Sequence, residues 1–170
     1  MLFNGGFPRY SDDPECVVFQ QRAIYHVQRN LEDTQAAHFC GRAVLLCDRG
    51  TADGAAYVPS PEQWCRSLET TLEDELARYD AVIFFESAAK ANHAINGTML
   101  EGGNAARTET SSEARTLDDR LLAVWRRHPN FHLIKSRDSF FDKLQEAVDV
   151  FRRLLSEFEA KSTPNLIGTS

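Results

Sequence analysis

Asp80-Ala81-Val82-Ile83-Phe84-Phe85-Glu86 is an apolar run closed at each end by an acid. An apolar stretch with no polar alternation is the pattern of a strand covered on both faces, as in a parallel sheet. The same signature recurs on either side of it. Upstream, Ala43-Val44-Leu45-Leu46-Cys47 is stopped by Asp48-Arg49-Gly50, and downstream Phe131-His132-Leu133-Ile134 runs into Lys135-Ser136-Arg137-Asp138.

Helical periodicity fills the intervals. Asp13-Pro14-Glu15 offers a cap, a proline for the first turn and an acid for the positive dipole end. Val17, Ile24, Val27 and Leu31 then share one helical face, and the pattern stops near residues 30–35. Ser60-Pro61-Glu62-Gln63 is a capping box opening a helix striped by Trp64, Leu68, Leu72, Leu76 and Tyr79. Thr110 with Glu113 opens another, with Ala114, Leu117, Leu121 and Val124 inward and His128-Pro129 as its stop. From Ser139 a last helix carries Phe141, Leu144, Val148, Phe151, Leu155 and Phe158 on one side. Residues 88–106, rich in Gly, Asn and Ala, read as an irregular loop.

Helices alternating with strands predict an α/β fold, a three-layer parallel sheet with right-handed crossovers and helices on both faces. Residues 1–160 form one domain in this reading, and 161–170 a flexible tail. In such sheets the ligand sits at the carboxyl ends of the strands. The search therefore narrows to Asp48-Arg49-Gly50, Glu86-Ser87 and residues 135–138.

Composition sets the outer bounds. The 170 residues suffice for one hydrophobic core, and the net charge of −6 argues against a nucleic-acid backbone as partner. No stretch is long and apolar enough to span a membrane, and Met-Leu-Phe-Asn-Gly-Gly has no basic start of a secretory leader. The expected compartment is the cytoplasm, where Asn96-Gly97-Thr98 is a turn rather than a glycosylation site. Cys16, Cys40, Cys47 and Cys65 include no C-x-x-C pair and read as buried reduced thiols. His26, His38, His93, His128 and His132 show no metal-ligand spacing.

Leu45-Leu46-Cys47-Asp48-Arg49-Gly50 has the form of a Walker B strand, in which a carboxylate at the strand tip reaches magnesium. Arg49 beside it suits a phosphate, which its planar fork grips bidentately. Taken alone, the pair also fits an ordinary solvated turn. A phosphohydrolase using Asp48 as nucleophile would need Asp-x-Asp, and position 50 is Gly.

Further segments occur in order: Phe19-Gln20, Cys47-Asp48-Arg49-Gly50 with Asp53-Gly54, and Tyr79-Asp80-Ala81-Val82. They continue with Asn104-Ala105-Ala106-Arg107-Thr108-Glu109, Glu113-Ala114-Arg115-Thr116-Leu117-Asp118, Trp125 with His128-Pro129, and Ser139-Phe140 with Lys143. This series resembles the AAA-type ATPase family related to nicotinamide-riboside kinase domains, a branch of the P-loop kinases, over about residues 15–155. The resemblance implies ATP with Mg2+ as cofactor and an unidentified small-molecule acceptor. It implies that Asp48 holds the metal or acts as base, and that Arg49 faces a phosphate or the substrate. Arg107, Glu109 and Arg115 fall in its lid segment, where arginines close on the transferring phosphoryl group. Asp53 and Asn104 belong to the same substrate- and nucleotide-binding set, and Ser136 and Arg137 lie near the base. For Arg107 and Arg115 the solvated face of a charged helix is the competing reading.

The family begins with a strand and a G-x-x-x-x-G-K-[ST] loop, and no such sequence occurs here. Gly5-Gly6 runs into Phe-Pro-Arg, and Gly102-Gly103 into Asn-Ala-Ala. The expected domain is therefore a P-loop NTPase fold incomplete at its N-terminus, without the first strand and phosphate loop. Two function classes stay open: an ATP-dependent phosphotransferase or ATPase, and a non-catalytic remnant or binding module. Bare strand edges beside the missing strand would invite self-association.

Overall fold

Asp13 accepts a hydrogen bond from the Glu15 amide, Pro14 occupies the first turn, and helix α1 (Pro14–Phe39) follows as those three residues predict. The computed structural model describes residues 13–41, 43–86, 111–137 and 139–162. Beyond α1 the order is a 3-10 helix (Thr51–Ala56), α2 (Pro61–Ser67), α3 (Leu72–Leu76), β1 (Val82–Phe85), α4 (Ser111–Trp125), β2 (Phe131–Ile134) and α5 (Phe140–Ser162). The chain divides into two compact units, one of Met1–Tyr79 with Asp119–Arg127, the other of Asp80–Asp118 with His128–Ser170.

The first unit is built around the 3-10 helix. Thr51, Ala52, Ala55 and Ala56 are buried, and Val58, Trp64, Cys65, Leu72, Leu76, Leu121, Val124 and Trp125 complete the core. Small residues are needed because large rings press on the turn: a Cβ on Gly54 would lie 2.3 Å from Trp64 Cζ2. Helix α1 runs past the predicted stop near residues 30–35 and ends at Cys40, which takes a left-handed φ of 49° and donates its amide to Ala36. Its buried positions are Gln20 and Tyr25, while Val27 and Leu31, on the predicted apolar face, are 45% and 61% exposed. Tyr25 packs edge-on against Trp64, and polar bonds add to that contact in holding α1. Tyr25 donates to Glu75 Oε1 at 2.8 Å, Arg29 pairs with the same oxygen at 3.1 Å, and Arg78 reaches Glu32 at 3.1 Å and Asp33 at 2.8 Å.

Ser60 caps α2 as expected, accepting from the Gln63 amide. The single helix predicted from there is instead two. Glu69 turns left-handed at φ 56°, the Thr70 amide closes on the Cys65 carbonyl, and Thr71 caps α3 through the Asp74 amide. Leu72 and Leu76 stay buried, so the apolar stripe survives the break.

In the second unit β1 and β2 pair in parallel, with Val82 opposite Phe131 and Phe85 opposite Ile134. Helix α5 packs on them with Ala147 and Leu154 buried. Of the predicted α5 face, Val148, Phe151, Leu155 and Phe158 are half-buried, but its first turn is not covered: Phe141 is 79% exposed and Leu144 is exposed as well. The strands are half covered rather than sealed, and only Ile134 is buried. The parallel α/β arrangement stands, but among the described residues the sheet has two strands, not three. Residues 44–47 have no strand partner there, and a lone extended run has nothing to hold it as sheet. Cys40 and Cys47 are exposed, which corrects the reading of all four cysteines as buried.

Candidate functional site

The Asp48-Arg49-Gly50 turn leads into the 3-10 helix of the first unit and is fixed from several directions. Arg49 adopts a left-handed φ of 77°, which costs a non-glycine residue about 1–2 kcal/mol. Its carbonyl accepts from Gln28 Nε2 at 2.6 Å. Gly50 lies beneath the Trp125 ring, where a Cβ would meet Cη2 at 2.4 Å. The Thr51 amide donates to the Tyr79 hydroxyl at 2.7 Å, and that hydroxyl donates to Glu32 at 3.0 Å. Burial pushes the Tyr79 phenol well above its ordinary range, so it stays a neutral donor.

Asp53 is drawn into this arrangement rather than left for a ligand. One oxygen accepts from the Trp125 indole at 2.7 Å, and the other faces Arg49 Nη1 at 3.5 Å. Burial raises the carboxyl above its ordinary value, with Trp125 and Arg49 pulling against that shift. The arginine is mostly exposed, so the ion pair is worth little and donors of the guanidinium remain open to an oxyanion. Asp48, at the outer corner, is exposed.

Magnesium shared with a nucleotide needs one or two protein carboxylates, the phosphates supplying the rest. Asp48 fits that role as a single accessible carboxylate. Among the described residues there is no group of three His, Cys, Asp or Glu side chains that would hold a metal by themselves.

In the second unit the carboxyl ends of β1 and β2 are tied together by Glu86. Its Oε2 accepts from the Ser136 amide at 3.0 Å, and its carbonyl accepts from Lys143 Nζ at 2.6 Å. Arg137 is engaged with Glu146 at 2.7 Å. Arg115 is exposed on α4. Asn104, Arg107 and Glu109, the remaining candidates, lie outside the described residues, as does Asp138. The geometry thus brings together Asp48, Arg49 and Asp53 in one unit, and Ser136 and Arg137 in the other.

Some participants escaped the sequence reading. Gln28 and Glu32 hold the turn from α1, and nothing in their spacing announced it. The Glu75 site did leave a signal: an acid three residues after Leu72 and one before Leu76, on the buried side of a helix.

Residues 10–143 match the family model described as an AAA domain. The chain therefore belongs to the AAA domain family, nucleotide-binding P-loop NTPases that generally use magnesium with ATP. No curated protein and no solved structure matches it.

Proposed function

We propose that the chain works in an ATP-dependent small-molecule phosphotransferase or ATPase, of the branch related to nicotinamide-riboside kinase domains. The observation that carries this is the exposed Asp48-Arg49 corner closing an apolar run, inside the span that matches the AAA domain. Asp48 is the carboxylate that would hold the magnesium of the nucleotide. Arg49, held close to Asp53, is the guanidinium for a phosphate oxygen. Arg107 and Arg115, with Glu109, serve the transferring phosphoryl group, where a supplied arginine is worth roughly 10³–10⁵ in rate. Asn104 contributes to nucleotide binding, and Ser136 and Arg137 border the base.

The G-x-x-x-x-G-K-[ST] loop that cradles phosphates is not among the 170 residues, so in this reading another segment supplies it. The DNA ahead of Met1, read in frame, is the first place to look. A protein extended by such a segment should hydrolyse or transfer the ATP γ-phosphate, and its Asp48→Asn form should lose roughly 100-fold or more in turnover. Unchanged turnover in Asp48→Asn would refute the role given to Asp48. An extended protein with the loop but no turnover would favour the non-catalytic binding module.

A further inference from the structure

Asp53 and Arg49 are unequal partners. The carboxylate is fixed: it sits on the 3-10 helix, 17% exposed, and one oxygen accepts the Trp125 indole N–H at 2.7 Å. The Trp125 ring is fixed in turn, buried over Gly50 and edge-on to Tyr79. The guanidinium is not fixed. Gln28 pins the Arg49 backbone at its carbonyl, but 59% of the side chain is in water, and its ion pair with Asp53 spans 3.5 Å. Arg49 is therefore the moving half of the contact, and Asp53 the seat on which it rests.

Leaving that seat has a consequence for Asp53. Burial works against its charge, while the Trp125 indole, Arg49 and the Gly50 amide work for it. Trp125 and Gly50 are neutral donors, so Arg49 is the countercharge. Other ionisable groups on the elements around the 3-10 helix are engaged elsewhere. Glu32 of α1 accepts from Tyr79 and Arg78, and Arg29 of α1 and Glu75 of α3 meet at Tyr25. Asp48, in the same turn, faces water. An oxyanion that draws Arg49 away thus leaves a buried carboxylate without its cation, and such a group recovers by taking a proton from solvent. Linkage makes this reciprocal, because a proton on Asp53 also releases Arg49. We propose that Asp53 is an internal competitor for Arg49: the corner is closed by its own carboxylate, and opens to an anion more readily once Asp53 carries a proton. The proposal rests on the reading of Arg49 as a holder of phosphate oxygens.

Inorganic sulfate is the probe, because unlike phosphate it does not titrate between pH 7 and about pH 4. Adding it to the full chain at constant ionic strength, and following the Trp125 indole N–H by NMR, reads the corner without nucleotide or turnover. Asp53→Asn keeps an acceptor for Trp125 and removes the charge. At pH 7 it should bind sulfate roughly 2- to 5-fold more tightly than wild type, the range set by an exposed ion pair. On acidification to about pH 4 the two affinities should converge, because wild type with Asp53 protonated resembles the variant. The ratio is the readout, since the overall charge changes in both proteins alike. Arg49→Ala should lose the response, and circular dichroism checks that each variant keeps its fold. Equal affinities at pH 7, or a ratio constant with pH, would overturn the competition and leave Arg49 as an anion holder. No response in either protein, or a response that survives Arg49→Ala, would overturn it together with the role given to Arg49.

Discussion

Asp53 carries different loads on its two oxygens: a short bond from a buried indole, and an ion pair with a guanidinium that is mostly in water. Burial dominates and lifts its folded pKa, so the folded chain binds this proton more readily than the unfolded one. By linkage, its contribution to stability worsens as pH rises through the carboxylate range and improves as pH falls. Asp53→Asn keeps the shape and the acceptor for Trp125 but cannot titrate. The stability difference between the two proteins should therefore shift in favour of the wild type on acidification from pH 7 to about pH 4. Denaturant titrations at several pH values measure it, and a constant difference would contradict the burial argument. Gly54 makes a second, steric prediction. A Cβ there overlaps the Trp64 ring, with Cζ2 at 2.3 Å and Cε2 at 2.8 Å, so Gly54→Ala should destabilise by about 1–3 kcal/mol. Local chemistry of the capping kind was legible in advance: Asp13 and Ser60 cap the helices they announce, because a cap needs only its own next few residues.

At the scale of elements, what depends on distant partners was not legible. Residues 44–47 carry the strand pattern as clearly as 82–85 do, yet among the described residues only β1 finds a parallel neighbour, in β2. An apolar run states that it wants cover and does not state whether cover arrives. The start of the α5 stripe was misjudged for a related reason. Phe141 and Leu144 looked like core by type but are exposed, and cover begins further along, with Ala147 and Leu154 buried and Val148, Phe151, Leu155 and Phe158 half-buried. The α2–α3 break was readable in hindsight, since Thr70-Thr71 followed by three acids is a poor helix middle and a good helix start. Thr71→Ala removes that cap and should destabilise by about 1 kcal/mol, as read from the unfolding midpoint. Strand β2 adds a pH dependence. His132 Nδ1 faces Arg153 at 3.4 Å, so Nε2–H donates to Asn130 Oδ1 at 2.8 Å in the neutral tautomer. Burial first, then Arg153 and His128, lower its pKa below 6.5, while Glu157 opposes them. The unfolded chain then takes the proton first. Stability from this residue is complete above pH 6.5 and is lost as pH falls through the lower folded value. The melting temperature should fall further between pH 7 and pH 5 in wild type than in His132→Gln.

Across the whole molecule, a net charge of −6 sits with a family whose ligands are anions, so any phosphate must be held by local groups and not by the overall field. Among the described residues, no helix is long and apolar enough to cross a membrane. Within the first unit, the function proposed above assigns Arg49 as a guanidinium for an oxyanion and Asp48 as a carboxylate for its metal. A P-loop instead surrounds the phosphates with successive backbone N–H groups at a helix N-terminus and adds a lysine. Those donors are held in place before the ligand arrives. A single exposed arginine must give up side-chain freedom and its contact with Asp53 to bind. The difference is large on any accounting, because several charge-assisted bonds, each worth about 1.5–3 kcal/mol, are exchanged for one or two. The 170-residue chain titrated with Mg-ATP in a calorimeter should therefore give weak heats with no saturation in the micromolar range. Lowering the salt should strengthen what binding there is, as expected for an exposed guanidinium acting without a cradle. Saturable micromolar binding would mean that residues of this chain build a phosphate site of another kind, and Arg49→Ala would then show whether that site includes the turn after residues 43–47.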